Sequence, residues 1–583
     1  MSTASLILVT SLSLVLTGAD ASLPRGVYNV PLDAKARHNL FWSLDYDKQL
    51  VKFEAHVRLE DDQWFAVGFS DRGTHENGDY CIIYPDKFQR LRIADISTDD
   101  KCLVTVDEQQ DCKNFASKRY GYMTKITFTR AFDTCNKNDY KIEEGTTHIV
   151  WAIGVTFQNK RKLCDQIQEG MVRTQLLKNT MDNPVLPPMT WSYAATAPTV
   201  RVPGVETTYW CYLVKLPQQL DQKHHIIKFE PIITRGNEGL VHHMELFHCE
   251  SEDVNAILSQ YSGPCEKKPK ELEVCKKVLA AWAMGATPFY YPEEAGLLVG
   301  GRDYSKYAML EVHYNNPSLK ADWVDNSGLR IFLTRNLRKY NAGVIELGLE
   351  YIDKMAIPPQ QDEFTLSGYC IAECTAVALP QVGIMIFASQ LHTHLTGVKV
   401  ETSHIRNGVE LPKINYDYHY STHFQEIRLL KQQHHILPGD ALVTTCTYNT
   451  VDRSNITLGG FSITDEMCVN YIYYYPKINL EVCKSSISDF ALKEYFDNLN
   501  RLEWQNTGSE LPISKSYVGI EWNPLRSKIL HRLYLESPIY MQCNQSNGER
   551  FPGDWANMPT TTVRTALPIK ESQCFHKENY VMF

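Results

Sequence analysis

The chain has 583 residues, more than one hydrophobic core can serve, because single cores stop growing near ~250 residues. Its formal net charge of −9, with 22% charged residues and no run of five like charges, excludes a polyanion-binding surface, so nucleic acid is not an expected partner. Sixteen cysteines, spread from Cys81 to Cys574 without a CxxC pair, argue against zinc-ribbon and thioredoxin-like sites and favour disulfides in an oxidising compartment.

Residues 6–16 form a short apolar stretch followed by Gly18-Ala-Asp-Ala21, which reads as a cleaved signal peptide over 1–21. No later stretch reaches the ~20 apolar residues of a membrane span, so the expected location is the secretory pathway: endoplasmic reticulum, secretory-vesicle lumen or outside the cell. From 37 to 156 short apolar runs at 40–44, 50–59, 64–69, 80–84, 123–128 and 148–154 alternate with turn signals such as Glu76-Asn-Gly-Asp79. That pattern predicts a small antiparallel β-sandwich. Asp79 itself could join a cation site, although an acidic residue in a loop usually just forms a solvated turn. The proline-rich stretches Asn183-Pro-Val-Leu-Pro-Pro188 and Ala197-Pro-Thr-Val-Arg-Val-Pro-Gly204 predict a linker over 157–206.

Two segments of similar length follow, 207–335 and 336–484, each carrying a histidine cluster on predicted strands. The first holds His242-His243 and, further on, His313; the second holds His392-Thr-His394 and, further on, Met467. Side chains two apart on a strand share a face, so His392 and His394 can grip one ion, whereas His242 and His243 point to opposite faces unless a bulge re-aims one. Neutral imidazole suits copper, zinc or iron, and a thioether selects Cu(I), so Met467 points to copper. A lone histidine on an apolar strand is more often a hydrogen-bonded core residue, and the chain has other adjacent pairs, His224-His225 and His434-His435. What distinguishes His242-His243 is its partner strand, where Glu311 and Asn315 flank His313 on the same face. The nearly equal spacings, 242 to 313 and 392 to 467, suggest two related sandwich lobes. Beyond them, 487–504 has helical spacing, and 513–583 reads as irregular chain wrapping the lobes within a C-terminal segment, 485–583. The sequons at Asn455 and Asn544 are compatible with glycosylated surface loops.

Five dispersed motifs carry a resemblance: Val241-His-His-Met-Glu-Leu-Phe-His-Cys249, Leu310-Glu-Val-His-Tyr-Asn-Asn-Pro317, Gln390-Leu-His-Thr-His-Leu-Thr-Gly397, His423-Phe-Gln-Glu-Ile-Arg428 and Glu466-Met-Cys-Val-Asn-Tyr471. In this order they resemble the copper type II, ascorbate-dependent monooxygenases of the dopamine beta-hydroxylase-like branch. The resemblance implies a mainly β chain: an N-terminal DOMON-like β-sandwich, two copper-binding, jelly-roll-like β-sandwich lobes and a partly irregular C-terminal segment. It implies two copper ions, one on His242, His243 and His313 as electron store, the other on His392, His394 and Met467 for oxygen. Ascorbate is the implied electron donor and O2 the co-substrate. One oxygen atom would enter an activated, benzylic C–H bond of a small aromatic amine of phenylethylamine type.

The family marks a tyrosine and a histidine as active-site residues, which fall on Tyr209 and His392; Tyr209 reads equally well as a strand aromatic in the lobe core. Tyr471 reads as a packing residue, and Gln390 lies on the ligand face beside His392, with hydrogen-bond partners of the ligands left open. Family cysteine positions imply the bridges Cys135–Cys574, Cys211–Cys265, Cys249–Cys275, Cys370–Cys483, Cys374–Cys543 and Cys446–Cys468. Cys81, Cys102, Cys112 and Cys164 remain, all in the N-terminal region. No cysteine lies between Cys483 and Cys543, which argues against a covalent dimer and leaves a non-covalent homo-oligomer open. Alternatives to the amine hydroxylase are a catalytically silent secreted binding module and a peptide alpha-hydroxylating monooxygenase.

Overall fold

The computed structural model describes residues 26–33, 36–155, 157, 162–164, 168–178, 184–251, 253, 256–316, 318–568 and 574. The signal peptide expected at 1–21 lies outside the described residues.

Alternation builds the N-terminal sandwich. In Leu50–Arg58 every second residue is buried, the signature of a strand with one face on a core. It sits in a five-stranded antiparallel sheet in the order Val27–Pro31, Asn39–Asp45, Leu50–Arg58, Met123–Ala131, Lys113–Tyr120. The facing sheet runs Gln168–Thr174, Thr147–Val155, Gln63–Ser70, Asp79–Pro85, Leu91–Thr98, Val104–Val106. Val51, Phe53 and Ala55 of one meet Phe65, Val67, Phe69 and Trp151 of the other. The second sheet is covered on its far side too, by a cluster that includes Trp64, Tyr80, Val150 and Leu163. Thr147–Val155 therefore reads as a continuous apolar run instead of an alternating one.

Two sequence expectations fail here. The 157–206 segment is not a plain linker: Gln168–Thr174 completes the N-terminal sheet and Trp191–Thr196 pairs with Gly328–Thr334. The prolines flank these strands and interrupt neither. Asp79 is not a solvated turn former either; it is buried, paired with Arg130, and accepts the Tyr140 N–H at 2.8 Å.

Each histidine cluster lies on its own pair of sheets. The first lobe has one sheet in the order Trp191–Thr196, Gly328–Thr334, His224–Ile232, Ala295–Val299, Tyr340–Asn341, and a second in the order Ser262–Pro264, Thr207–Lys215, Tyr307–Asn315, Val241–Cys249, Cys275–Ala283. Tyr340–Asn341 thus belongs to the first lobe's sheet, beyond the break expected at 335. The second lobe has a six-stranded sheet, Arg428–Ile436, Ile384–His392, Val469–Tyr475, Gly343–Leu349, Leu480–Ile487, Ile539–Gln545, and a four-stranded one, Phe364–Cys370, Asp440–Tyr448, Gly397–Arg406, Val409–Asp417. The lobes share a core: Phe387, Ala388, Tyr473 and Tyr475 of the second pack among first-lobe residues such as Phe289 and Tyr291.

The helix expected at 487–504 spans Asp489–Glu503, with the Ser488 hydroxyl accepting the Ala491 N–H as N-cap. The chain after 513 is more regular than its sequence suggests. It forms the helices Ile513–Val518 and Pro524–Glu536, the latter capped by Asn523. Ile539–Gln545 then adds an edge strand to the second lobe. Asn544 sits in that strand with its side-chain oxygen buried, so it is no free loop sequon, while Asn455 is exposed.

All six expected disulfides form, joined by Cys81–Cys112 and Cys102–Cys164. No cysteine is left free. Cys135–Cys574 ties the tail to the N-terminal sandwich, which also docks on the second lobe through Asp417. This buried carboxylate accepts the Thr146 N–H (3.0 Å) and hydroxyl (2.6 Å) and pairs with Arg428 at 2.9 Å. At Gly145, φ is +112° and a Cβ would stand 2.8 Å from the Asp417 Oδ1, so only glycine allows this approach. Among the described residues no helix is long and apolar enough to cross a membrane.

Candidate metal centre

His242 and His243 are adjacent, so a regular strand would send them to opposite faces. Against Tyr307–Asn315, however, the register shifts between Val241 and His243: Val241 pairs with Tyr314, and His243 with His313. The bulge absorbs His242 and turns both rings to one side. The Nδ1 atoms then converge, His242 to His243 at 3.2 Å and His313 to His243 at 3.3 Å.

Nitrogens held at ~2.0–2.1 Å by one tetrahedral ion stand roughly 3.3 Å apart, so this spacing fits a metal. The single proton of each neutral ring cannot satisfy all of these close approaches. Burial, the neighbouring His313 and His423 push the His242 pKa down to about 3, and burial with His423 pushes His313 to about 4. The rings are neutral at physiological pH, the state a metal requires. Tyr209 does not pack in the core. It is 38% exposed, and its ring stacks on His313 at 4.4 Å between centroids and 4° between planes.

The second pair is fixed by different contacts. His392 ends the strand Ile384–His392, and its Nδ1 bonds to the Gln425 side-chain oxygen. His394 places its Nδ1 3.0 Å from the Asp465 carbonyl. With both Nδ1 atoms occupied, both Nε2 atoms remain available as ligands, and each tautomer is set by its carbonyl-type partner. Burial and the adjacent His394 lower the His392 pKa to about 4.

Met467 is buried, and its backbone is tied to that of His394 by Glu466. This buried carboxylate accepts N–H bonds from His394 (2.9 Å), Thr396 (2.6 Å) and Met467 (3.1 Å), and the Thr396 hydroxyl at 2.7 Å. Burial raises its pKa and the four bonds oppose that shift; every partner is a donor, so the ionised form is the one held. Gln425 and Glu466 lie in motifs visible in the sequence, but their bracing role needed the fold. Gln390, expected beside His392, donates to the Gln425 carbonyl at 3.0 Å. Tyr471 is only partly exposed, its ring 6.2 Å from that of His392.

The other histidine pairs are held by ordinary hydrogen bonds. His225 accepts the Arg338 N–H at 3.0 Å and contacts the Asn341 side chain at 2.8 Å; His435 bonds the Val382 carbonyl at 2.8 Å.

Both clusters open on one cavity of about 480 Å³, lined by His242, His243 and His313 on one side and His392 and His394 on the other. Its charged lining is one-sided: among the described residues it holds Glu206, Glu245 and Glu311 and no lysine or arginine. Glu245 and Glu311 are cross-strand partners, two residue pairs along from His243 and His313 and so on the same face. Burial and the facing Glu311 push Glu245 up to about 7.

Family models match three consecutive stretches: the DOMON domain over 34–154, the N-terminal domain of the copper type II ascorbate-dependent monooxygenases over 193–321 and their C-terminal domain over 340–496. Dopamine beta-hydroxylase of Homo sapiens is 44% identical over 94% of this chain and 89% of its own length. This chain belongs to the copper type II ascorbate-dependent monooxygenase family. Tyramine beta-hydroxylase of Caenorhabditis briggsae is 38% identical over 90% of both chains, and the DBH-like monooxygenase protein 1 of Homo sapiens 33% over 88% of this chain and 86% of its own. The protein is therefore an oxidoreductase of a copper- and ascorbate-dependent family, with a DOMON domain preceding the two lobes.

Proposed function

We propose that this monooxygenase hydroxylates the benzylic carbon of a phenylethylamine-like small molecule, with two coppers per chain, one on His242, His243 and His313 and one on His392, His394 and Met467. Copper supplies the one-electron redox steps and the binding of O2; the protein supplies position, charge and exclusion of water. The observation that carries the amine reading is the cavity lining. Three acidic side chains without a balancing cation among the described lining favour an ammonium group, which would draw the buried Glu245 and Glu311 toward their ionised forms, whereas a peptide ending in a carboxylate would meet no partner.

In this reading Glu245 and Glu311 take the ammonium, and His392 and His394, their Nδ1 atoms held by Gln425 and the Asp465 carbonyl, offer Nε2 to the reacting side. Gln425, the Asp465 carbonyl and Glu466 hold those rings and Met467 in place, so that little reorganisation is needed when the substrate arrives. Tyr209, stacked on His313, orients that ligand at the cavity wall.

The eight disulfides support a secretory-pathway location, and with every cysteine paired inside the chain, any homo-oligomer is non-covalent. The test is oxygen uptake by purified, copper-loaded protein with ascorbate, comparing arylethylamines with a glycine-extended peptide. Amine-dependent uptake, lost in His392→Ala and shifted to higher amine KM in Glu245→Gln, is the expected result. Preference for the peptide would overturn the amine reading, and no uptake with any substrate would leave a silent binding module.

A further inference from the structure

Three consecutive residues of the second lobe reach toward both histidine clusters. They lie in the connection 418–427, between the strands Val409–Asp417 and Arg428–Ile436. His423 faces the first cluster: its ring meets that of His242 edge to face, with centroids 6.0 Å apart and planes at 87°, inside the range of an aromatic pair. Phe424 is buried and packs on Gly285 of the first lobe, its ring 3.2 Å from where a Cβ would stand. At that glycine φ is +86°, so no larger residue suits the position. Met284, the residue before it, donates its N–H to the His242 carbonyl at 2.8 Å. Gln425 faces the second cluster, and its side-chain oxygen accepts from the Nδ1 of His392.

Hydrogen bonds hold this short segment along its length. The Phe424 N–H donates to the Ser421 carbonyl at 2.9 Å, and the Gln425 amide donates to the carbonyls of Thr422 at 2.8 Å and Thr393 at 3.3 Å. Gln390 donates to the Gln425 carbonyl at 3.0 Å. A backbone tied in this way transmits a fixed geometry from one end to the other. The two clusters sit on different lobes with one cavity between them. An electron that ascorbate gives up at the first therefore has to cross to the second, where oxygen is reduced. Such a transfer slows steeply as the gap widens, so the gap has to be held.

We propose that residues 422–425 set the separation of the two metal sites, with His423 the positioning residue at the first-site end and Gln425 the one at the second. The inference rests on the reading of both clusters as copper sites.

His423 is exposed, so replacing it probes the contact without emptying a core. Full-length protein is loaded with copper and oxidised, and the magnetic dipolar coupling between the two Cu(II) ions, which falls with the cube of their distance, is read by electron paramagnetic resonance. His423→Ala is expected to keep both coppers, to weaken and spread that coupling, and to lower kcat about tenfold with the amine KM unchanged, since a misplacement of about 1 Å can cost up to ~100-fold. His423→Phe keeps a ring edge without the nitrogens and should restore both the coupling and kcat. Wild-type coupling in His423→Ala overturns the proposal, and so does failure of His423→Phe to restore it, because position alone would then not explain the residue. If wild-type protein binds fewer than two coppers, the functional reading falls and the contact is read in metal-free protein. There His242→Ala and His423→Ala should together shift the urea midpoint by less than the sum of their separate shifts; additive shifts overturn the bridge, and non-additive ones leave it standing.

Discussion

Replacing Glu466 with glutamine exchanges one carboxylate oxygen for an amide NH2 where every neighbour is a donor. One oxygen serves Thr396 twice, the other serves His394 and Met467. Whichever way the amide turns, two donors lose their acceptor. A buried donor left unmade costs about 1–3 kcal/mol, so the variant should lose about 2–6 kcal/mol of stability. The damage centres on His394 and Met467, so one copper should bind about 10–100-fold more weakly, the usual cost of removing a partner that holds a metal's ligands. Melting temperature and copper content after dialysis against graded chelator measure the two effects, with the first site as internal control. Two coppers retained at wild-type affinity would refute the claim that Glu466 joins His394 to Met467.

Three further substitutions probe other parts of the molecule. Asp440 is buried, and although burial alone would raise its pKa, the hydrogen bonds from Arg406 and His404 hold it well below the usual carboxylate range. A depressed carboxyl pKa stabilises above the unfolded value of about 3.9 and loses that stabilisation as pH falls through the folded one. Asp440→Asn should therefore cost about 3 kcal/mol at neutral pH and progressively less toward pH 3 in urea titrations; a pH-independent difference would contradict the ion-pair account. At Gly348, φ is +132° and a Cβ would stand 2.0 Å from the Cys468 carbonyl oxygen. Gly348→Ala should lower stability by ~2 kcal/mol or more, and a wild-type melting temperature would show that the strand can shift. Ser488→Ala removes the N-cap of Asp489–Glu503 and should cost about 1 kcal/mol, read from thermal melts.

The sequence showed most where local rules govern. The runs at 40–44 and 148–154 became Asn39–Asp45 and Thr147–Val155, each a residue longer at both ends, because apolar patterning directly reports a strand face. His392 and His394 were expected to share a strand face, but the strand ends at His392 and His394 lies beyond it, so strand periodicity does not set their geometry. His242-His243 needed a bulge that the sequence permitted without specifying, since a register shift depends on the facing strand.

Long-range contacts were hidden for the same reason. Nothing in Gln168–Thr174 announces that it will close a sheet begun a hundred residues earlier. Asp79 looked like a turn residue because its Arg130 partner is distant in the chain. The prolines around 157–206 were over-read: they mark where strands stop, and two strands fit between them.

The aromatic seam of Phe289, Tyr291, Phe387 and Tyr473 has a bearing on how such enzymes can be re-engineered. Each half borrows its waterproofing from the other, so a lobe expressed or transplanted alone would expose an oily wall to solvent. Swapping specificity between relatives therefore calls for exchange of loops around the cavity, or of both halves together.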